Sequence, residues 1–149
     1  MNSWPNSVEE SIPVVTAVDS SVIFDFVTLD PAFGIPSRQA LQSCSSEGQL
    51  LACEVVWAEV AGLFPTTPAA RRMFAELGIE YSPLAVEAAL DAGRAWKSYR
   101  ESGGTRGRVA ADFLIGAHAL HHADRLLTRD DGFYRTYFKH LSVLRPGRT

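Results

Sequence analysis

The chain has 149 residues, 46% of them hydrophobic and 21% charged, with a formal net charge of −3. That length fits a single domain with a substantial core, and the negative balance argues against indiscriminate polyanion binding without excluding a local basic patch. No apolar stretch approaches the roughly 20 residues that a membrane-spanning helix needs, and the two cysteines, Cys44 and Cys53, fit neither a zinc-knuckle spacing nor a disulfide framework.

Residues 1–13 read as a flexible leader, and residues 14–146 as one domain. The start, Met1-Asn2-Ser3-Trp4-Pro5-Asn6, lacks both a basic n-region and an apolar h-region, so no secretory signal is expected and a cytoplasmic location is the default. Val14–Val18 is a short β-branched run bounded by Pro13 and by Asp19-Ser20-Ser21, which predicts a buried strand. Ser20 and Ser21 can cap a helix carrying Val22, Ile23, Phe26 and Val27 at helical spacing. Pro31, Gly34 and Pro36 break it, and Ser37 opens a second helix to about Ser45. Gln49–Cys53 predicts a second strand, followed by a helix from about Glu54 to Leu63 and another over Ala69–Leu77, stopped by Gly78.

Ile79–Tyr81 is a brief strand candidate, and Pro83 sits where a first helical turn tolerates it, leading a long helix to about Glu101. Ser102–Gly107 is a glycine-rich loop. From Arg108 to about His122 a helix apolar on most sides is expected to be buried; Arg125–Thr128 and Ser142–Leu144 are the last strands, with a short helix around Phe133–Phe138 between them. Strands alternating with helices predict an α/β domain with a mostly parallel sheet covered on both faces. Ligands of such sheets bind beyond the carboxyl ends of the strands.

Four acids stand in apolar company. Asp19 ends the run Val14–Val18; Glu59 lies in Val56-Trp57-Ala58-Glu59-Val60-Ala61; Asp112 lies in Ala110-Ala111-Asp112-Phe113-Leu114-Ile115; Asp130 follows Leu126-Leu127-Thr128. Burying an ionised carboxylate is costly unless a positive charge is buried with it. Asp19 and Asp130 fall one or two residues past predicted strands, and Glu59 and Asp112 can reach the same crevice from flanking helices. One shared cation accounts for all four, and carboxylate ligands without a Cys or convincing His set select Mg²⁺ or Mn²⁺. Such sites hydrolyse phosphodiesters. There is no nucleophile elbow, phosphate-binding glycine fingerprint or dinucleotide motif.

In order, Val18-Asp19-Ser20-Ser21-Val22, Ala58-Glu59-Val60, Arg108 through Ala119 with Asp112-Phe113-Leu114-Ile115 at its centre, and Leu126-Leu127-Thr128-Arg129-Asp130-Asp131-Gly132-Phe133-Tyr134 resemble the PIN-domain nucleases. The subgroup most similar is the VapC-type toxins of toxin–antitoxin pairs, and the resemblance runs from about Val14 to Leu144. It implies a three-layer α/β/α fold, a Mg²⁺- or Mn²⁺-dependent endoribonuclease acting on an RNA substrate, a homodimer, and inhibition by a cognate antitoxin protein. By position, Asp19, Glu59, Asp112 and Asp130 correspond to the metal-binding acids. Asp131 has no counterpart in the usual pattern; Asp130 is favoured as the ligand, with Asp131 a competing acid.

Each assignment has a structural alternative. Asp19 can cap the helix after it, although Ser20 and Ser21 can do so instead. Glu54, at a helix start, is expected to see only the helix dipole. Arg108 lies one turn before Asp112 and can neutralise it, contact a substrate phosphate or remain solvated. Ser20 and Thr128 are further substrate-binding candidates; Thr128 can equally hold the Asp130 loop through its hydroxyl or fill a strand position. Arg94, Lys97, Arg100 and Arg106, with Arg125, Arg129 and Arg135 around Asp130, are either a phosphate track or solvated charge. His118 and His122 have zinc-site spacing but no Glu between them, which favours structural histidines. Trp57, Trp96, Phe113 and Phe133 are expected as core or dimer contacts, and both cysteines as buried thiols. A non-catalytic PIN-like RNA-binding or assembly module is the alternative function.

Overall fold

The sheet is assembled from very short apolar runs, each flanked by a helix that covers it. In the computed structural model, which describes residues 12–104 and 110–147, the strands are β1 (Thr16–Val18), β2 (Leu50–Ala52), β3 (Ile79–Tyr81), β4 (Arg125–Leu127) and β5 (Val143–Leu144). The helices are α1 (Ser20–Thr28), α2 (Gly34–Glu47), α3 (Glu54–Ala61), α4 (Thr67–Leu77), α5 (Val86–Glu101), α6 (Ala110–His122) and α7 (Asp131–Tyr137). All strand pairs are parallel and the order is β3-β2-β1-β4-β5. Ala17, at the centre of the sheet, stands beside Leu51 on one side and Leu126 on the other. The architecture is the three-layer α/β/α arrangement expected from the alternation of elements.

The chain winds outward in one direction from β1 through β2 to β3, then returns to place β4 on the other side of β1. The order therefore reverses between β1 and β4, and a crevice opens beyond their carboxyl ends. The amide of Asp19 donates to the carbonyl of Leu127 at 2.9 Å, which keeps the two strand ends together just where the loops diverge. The core beneath consists of Val18, Val22, Ile23, Val56, Phe113, Leu126 and Leu127, all essentially inaccessible. Phe113 of α6 anchors an aromatic cluster with Tyr99, Phe133 and Tyr137 at centroid distances of 5.2–5.9 Å, tying α5, α6 and α7 to one another. Trp57 stacks on Phe74 at 3.8 Å between α3 and α4. Cys44 and Cys53 are free and buried.

Several element boundaries differ from the sequence expectations, each for a physical reason. The second helix begins at Gly34, so Pro36 lies inside its first turn, where a missing N–H has no intrahelical acceptor to lose. The long helix begins at Val86 rather than near Pro83: Leu84 donates its N–H to the Glu54 carboxylate at 3.0 Å and Ala85 donates to His122 Nε2 at 3.0 Å, so both stay outside the helix. Thr66 caps α4 through its side chain, which accepts the Ala69 N–H and starts that helix at Thr67. The third helix ends at Ala61, and the last includes Asp131 in its first turn. Arg106, Arg108, residues 1–11 of the predicted leader and residues 105–107 of the glycine-rich loop lie outside the described residues. Among the described residues no helix is long and apolar enough to cross a membrane.

Candidate active site

The crevice between the ends of β1 and β4 is organised around Asp19. This residue occupies the N-cap position of α1 with extended backbone angles, but its carboxylate makes no capping bond. Instead Oδ2 accepts the hydroxyls of Thr128 at 2.7 Å and Ser21 at 3.1 Å, while Oδ1 lies 3.4 Å from Ser20 Oγ. Asp19 is only 6% exposed. Burial pushes its pKa above the ordinary carboxylate range; the bonds from Thr128, Ser21 and the Ser20 amide oppose that shift, and the charge of Asp112 reinforces it.

The hydroxyls form a strap across the crevice. Thr128 Oγ1 donates to Asp19 and accepts the N–H of Asp130 at 3.0 Å. Ser21 Oγ donates to Asp19 and accepts the N–H of Arg129 at 3.3 Å. Ser20 Oγ also lies 3.1 Å from Glu59 Oε1; having one proton, it bonds more strongly to the nearer Glu59 oxygen than to Asp19.

Glu59 reaches this group from α3 and Asp112 from the first turn of α6. Although Glu59 is exposed, partial desolvation on the pocket side raises its pKa; Ser20 opposes the shift, and Asp19 and Asp112 add to it. Asp112 thus acts on two acids from two other segments, Asp19 and Glu59. One turn beyond Asp112, α6 packs closely on the Phe138 ring: a Cβ at Gly116 would stand 2.4 Å from it, so glycine suits this contact. Asp130 occupies the N-cap position of α7 and is tied to the group through its amide on Thr128. Its neighbour Asp131 lies 3.6 Å from Arg135 Nε and 3.6 Å from Arg145 Nη1, so arginines already neutralise it.

A hard divalent cation fits this donor chemistry, since the ligating atoms on offer are carboxylate oxygens and the described groups that shift Asp19 and Glu59 include no Lys or Arg. Among the described residues no three Asp, Glu, His or Cys side chains are spaced to hold an ion as they stand. Mg²⁺ keeps several waters and is commonly held by one or two carboxylates, so water would complete its shell here.

The remaining candidates are engaged elsewhere. His118 is buried with Nε2 3.0 Å from Ser82 Oγ, and burial together with His122 lowers its pKa to about 4. His122 stacks on it at 4.8 Å and uses Nε2 as the acceptor for Ala85, so the two rings fasten the segment after β3 rather than offering free ligand nitrogens. Glu54 does more than face its helix dipole, because its carboxylate accepts the Leu84 N–H. Three arginines considered for a phosphate track have protein partners: Arg125 binds Glu47, Thr16 and Cys44, Arg129 binds Asp25, and Arg135 binds Asp131 and the Val143 carbonyl. Asp25 itself was not anticipated. It is 3% exposed, accepts the Ser37 hydroxyl at 3.2 Å, and sits between Phe24 and Phe26 in the same apolar setting that marks the other acids.

Comparison with known proteins agrees with this geometry. The PIN domain family model matches residues 16–139, and the chain belongs to the PIN domain family. Its fold is similar to VapBC-1 from nontypeable Haemophilus influenzae (TM-score 0.68, 15% identity, covering 90% of this chain and 99% of that one). A toxin–antitoxin complex from Klebsiella pneumoniae matches with TM-score 0.65 at 18% identity (90% and 99% covered), and FitAcB from Neisseria gonorrhoeae with 0.63 at 20% (90% and 99%). No curated protein sequence gives a significant match.

Proposed function

We propose that this PIN domain is a Mg²⁺- or Mn²⁺-dependent endoribonuclease, the toxin of a type II toxin–antitoxin pair, and that Asp19, Glu59, Asp112 and Asp130 hold its cation. The observation that carries the reading is that Ser20 lies within reach of both Asp19, just past β1, and Glu59 of α3 at the switch point of the sheet, and that the charge of Asp112 of α6 acts on both acids. Without a cation, the pocket penalises ionisation of Asp19 and Glu59. When bound, a divalent ion supplies the charge that lowers the pKa of water and stabilises developing charge on a phosphodiester.

The chain's own residues prepare that chemistry. Asp19 is the most deeply buried of the four proposed ligands, and Thr128 and Ser21 fix its carboxylate in one orientation. Ser20 stands between Glu59 and Asp19 and donates its one proton mainly to Glu59, which holds that carboxylate toward the group. Ser20 and Thr128 serve the reaction by positioning carboxylates, a role supported by the bonds their hydroxyls already make. Asp130 rather than Asp131 is the fourth ligand, because two arginines hold Asp131. Arg108 remains a proposed contact for substrate phosphate. The similarity to VapBC and toxin–antitoxin complexes supports an antitoxin protein as the partner; a homodimer acting in the cytoplasm completes the proposal.

The test is incubation of the purified protein with total RNA and with matched RNA and DNA oligonucleotides, with Mg²⁺ or Mn²⁺ and with EDTA. Metal-dependent cleavage of RNA, absent in EDTA and abolished by Asp112→Asn, is the expected result. Absence of metal-dependent cleavage would leave the non-catalytic RNA-binding or assembly role, and undiminished cleavage by Asp112→Asn would refute the ligand assignment.

A further inference from the structure

Asp25 is a buried acid that the cation site does not use, yet it lies one step behind that site. Its carboxylate Oδ2 is 3.2 Å from Arg129 Nε and accepts the Ser37 hydroxyl at 3.2 Å. Arg129 stands between Thr128 and Asp130, and its guanidinium carbon lies 4.5 Å over the Phe33 ring. The turn joining α1 to α2 is built to deliver those partners. Leu29 adopts a left-handed backbone (φ 53°), and Asp30 Oδ1 accepts the N–H groups of Ala32 and Phe33 at 2.9 and 2.8 Å. Gly34 lets the chain pass close to the Asp25 carbonyl, where a Cβ would approach to 3.3 Å. The result brings Phe33 and Ser37 to the two sides of one ion pair.

We infer that Asp25, with Ser37 and Phe33, clamps the Arg129 side chain and thereby fixes the segment 128–130 that carries the fourth acid. Asp25 is a positioning residue: it acts through Arg129 and touches neither cation nor substrate. The inference rests on the proposed cation site and deepens it. Buried carboxylates of this kind hold an arginine by a charge-assisted bond that an amide cannot reproduce. The Arg129 side chain is 37% exposed, so without the Asp25 charge it is free to leave for solvent. Residues 129 and 130 then keep their amide bonds, Arg129 N–H to Ser21 and Asp130 N–H to Thr128, but lose the side-chain anchor of Arg129. Groups one shell behind metal ligands commonly change affinity by about 10- to 100-fold.

The experiment compares the wild-type chain with Asp25→Asn, Arg129→Met, their double variant and Phe33→Leu. Three quantities are read: the Mn²⁺ dissociation constant by electron paramagnetic resonance, amide hydrogen exchange at residues 129 and 130, and Tm. Asp25→Asn and Arg129→Met should each weaken Mn²⁺ binding about tenfold or more and speed exchange at both amides. The double variant should be no weaker than the weaker single one. Phe33→Leu, a milder change that keeps the fold if Asp25→Asn does not, should weaken binding about threefold. A lowered Tm with unchanged Mn²⁺ affinity and unchanged exchange at 129 and 130 would overturn the clamp and leave Asp25 merely structural. Failure of the wild-type chain to bind Mn²⁺ would overturn the cation site and the role of Asp25 within it, while the amide exchange would still report whether the clamp itself exists.

Discussion

Thr128 donates its hydroxyl to Asp19 at 2.7 Å across 109 residues of sequence, joining the ends of β1 and β4 through side chains as well as through the sheet. Because the same oxygen accepts the Asp130 amide, one group organises two of the four acids. Thr128→Val keeps shape and β propensity but removes the shorter of the two hydroxyl bonds to Asp19 Oδ2 and the acceptor of the Asp130 amide. A loss of about 1–3 kcal/mol is expected by chemical denaturation, together with a drop of roughly 10- to 100-fold in metal-dependent cleavage. Thr128→Ser should retain most of both. Equal activity in Thr128→Val and wild type would remove the hydroxyl from the machinery.

Glu59 offers the complementary case, where removing a charge should help the fold. Asp19 and Asp112 both disfavour its ionisation, and glutamine can still accept the Ser20 hydroxyl. Glu59 is exposed, so solvent screens much of the repulsion. The stabilisation expected of Glu59→Gln in EDTA is therefore small, about 0.5 kcal/mol, while cleavage should fall at least 100-fold. A thermal melt in chelator decides the sign: a lowered Tm would mean that repulsion among these acids is not a feature of the metal-free protein.

The fold was legible because its signals are local. Short β-branched runs such as Val14–Val18 and the helical spacing of Val22, Ile23, Phe26 and Val27 depend only on neighbours, and alternation of the two implies a parallel sheet. Long-range partners were not legible. Pro83 carries an ordinary helix-start signal, but the acceptor that holds Leu84 outside the helix is a side chain 30 residues earlier. The rule that drew attention to the acids, a carboxylate in apolar company, admits Asp25 equally well. What separates it from Asp19 is Arg129, which only the folded chain brings beside it. Likewise Asp130 and Asp131 are adjacent in sequence, and their difference arises when Arg145, beyond β5, reaches Asp131.

The pH dependence of stability should carry two opposing contributions. His118 has its pKa lowered to about 4 from 6.5, so the unfolded chain binds a proton that the folded chain refuses in that window. Protons there favour unfolding, and stability is lost as pH falls from 6.5 toward 4. Asp19 and Glu59 act the other way: their raised pKa values let the folded chain keep protons that the unfolded chain releases above 3.8 and 4.5, so stability falls as pH rises through their folded values. His118→Gln removes the first contribution and leaves the second. In EDTA, the wild-type chain should lose up to about 3 kcal/mol relative to His118→Gln between pH about 7 and about 4. Parallel urea denaturation curves at the two ends of that range measure the difference, and identical pH slopes would show that His118 accepts its proton as readily in the folded state.

The position of Asp112 depends on how closely α6 packs over the chain that follows α7. A methyl group at Gly116 would stand 2.4 Å from Phe138 Cε2 and 2.7 Å from Cζ. The ring has little room to retreat, being 5% exposed and packed on Tyr134 at 6.2 Å and Phe113 at 6.5 Å. Alanine favours a helix over glycine by about 0.5–1 kcal/mol, while overpacking a tight core costs about 1–3 kcal/mol, so the clash should win. Gly116 lies one turn beyond Asp112 on the same face of α6. Relief by tilting the helix would therefore carry the carboxylate away from Asp19 and Glu59. Gly116→Ala should be less stable than wild type in chemical denaturation and should bind Mn²⁺ more weakly. Adding Phe138→Leu, which shortens the group in the way, should restore part of the metal affinity despite removing buried aromatic surface. Recovery of affinity without recovery of stability would separate the two consequences of the contact, whereas a fully stable Gly116→Ala with native affinity would show that the ring gives way and that α6 does not need the glycine.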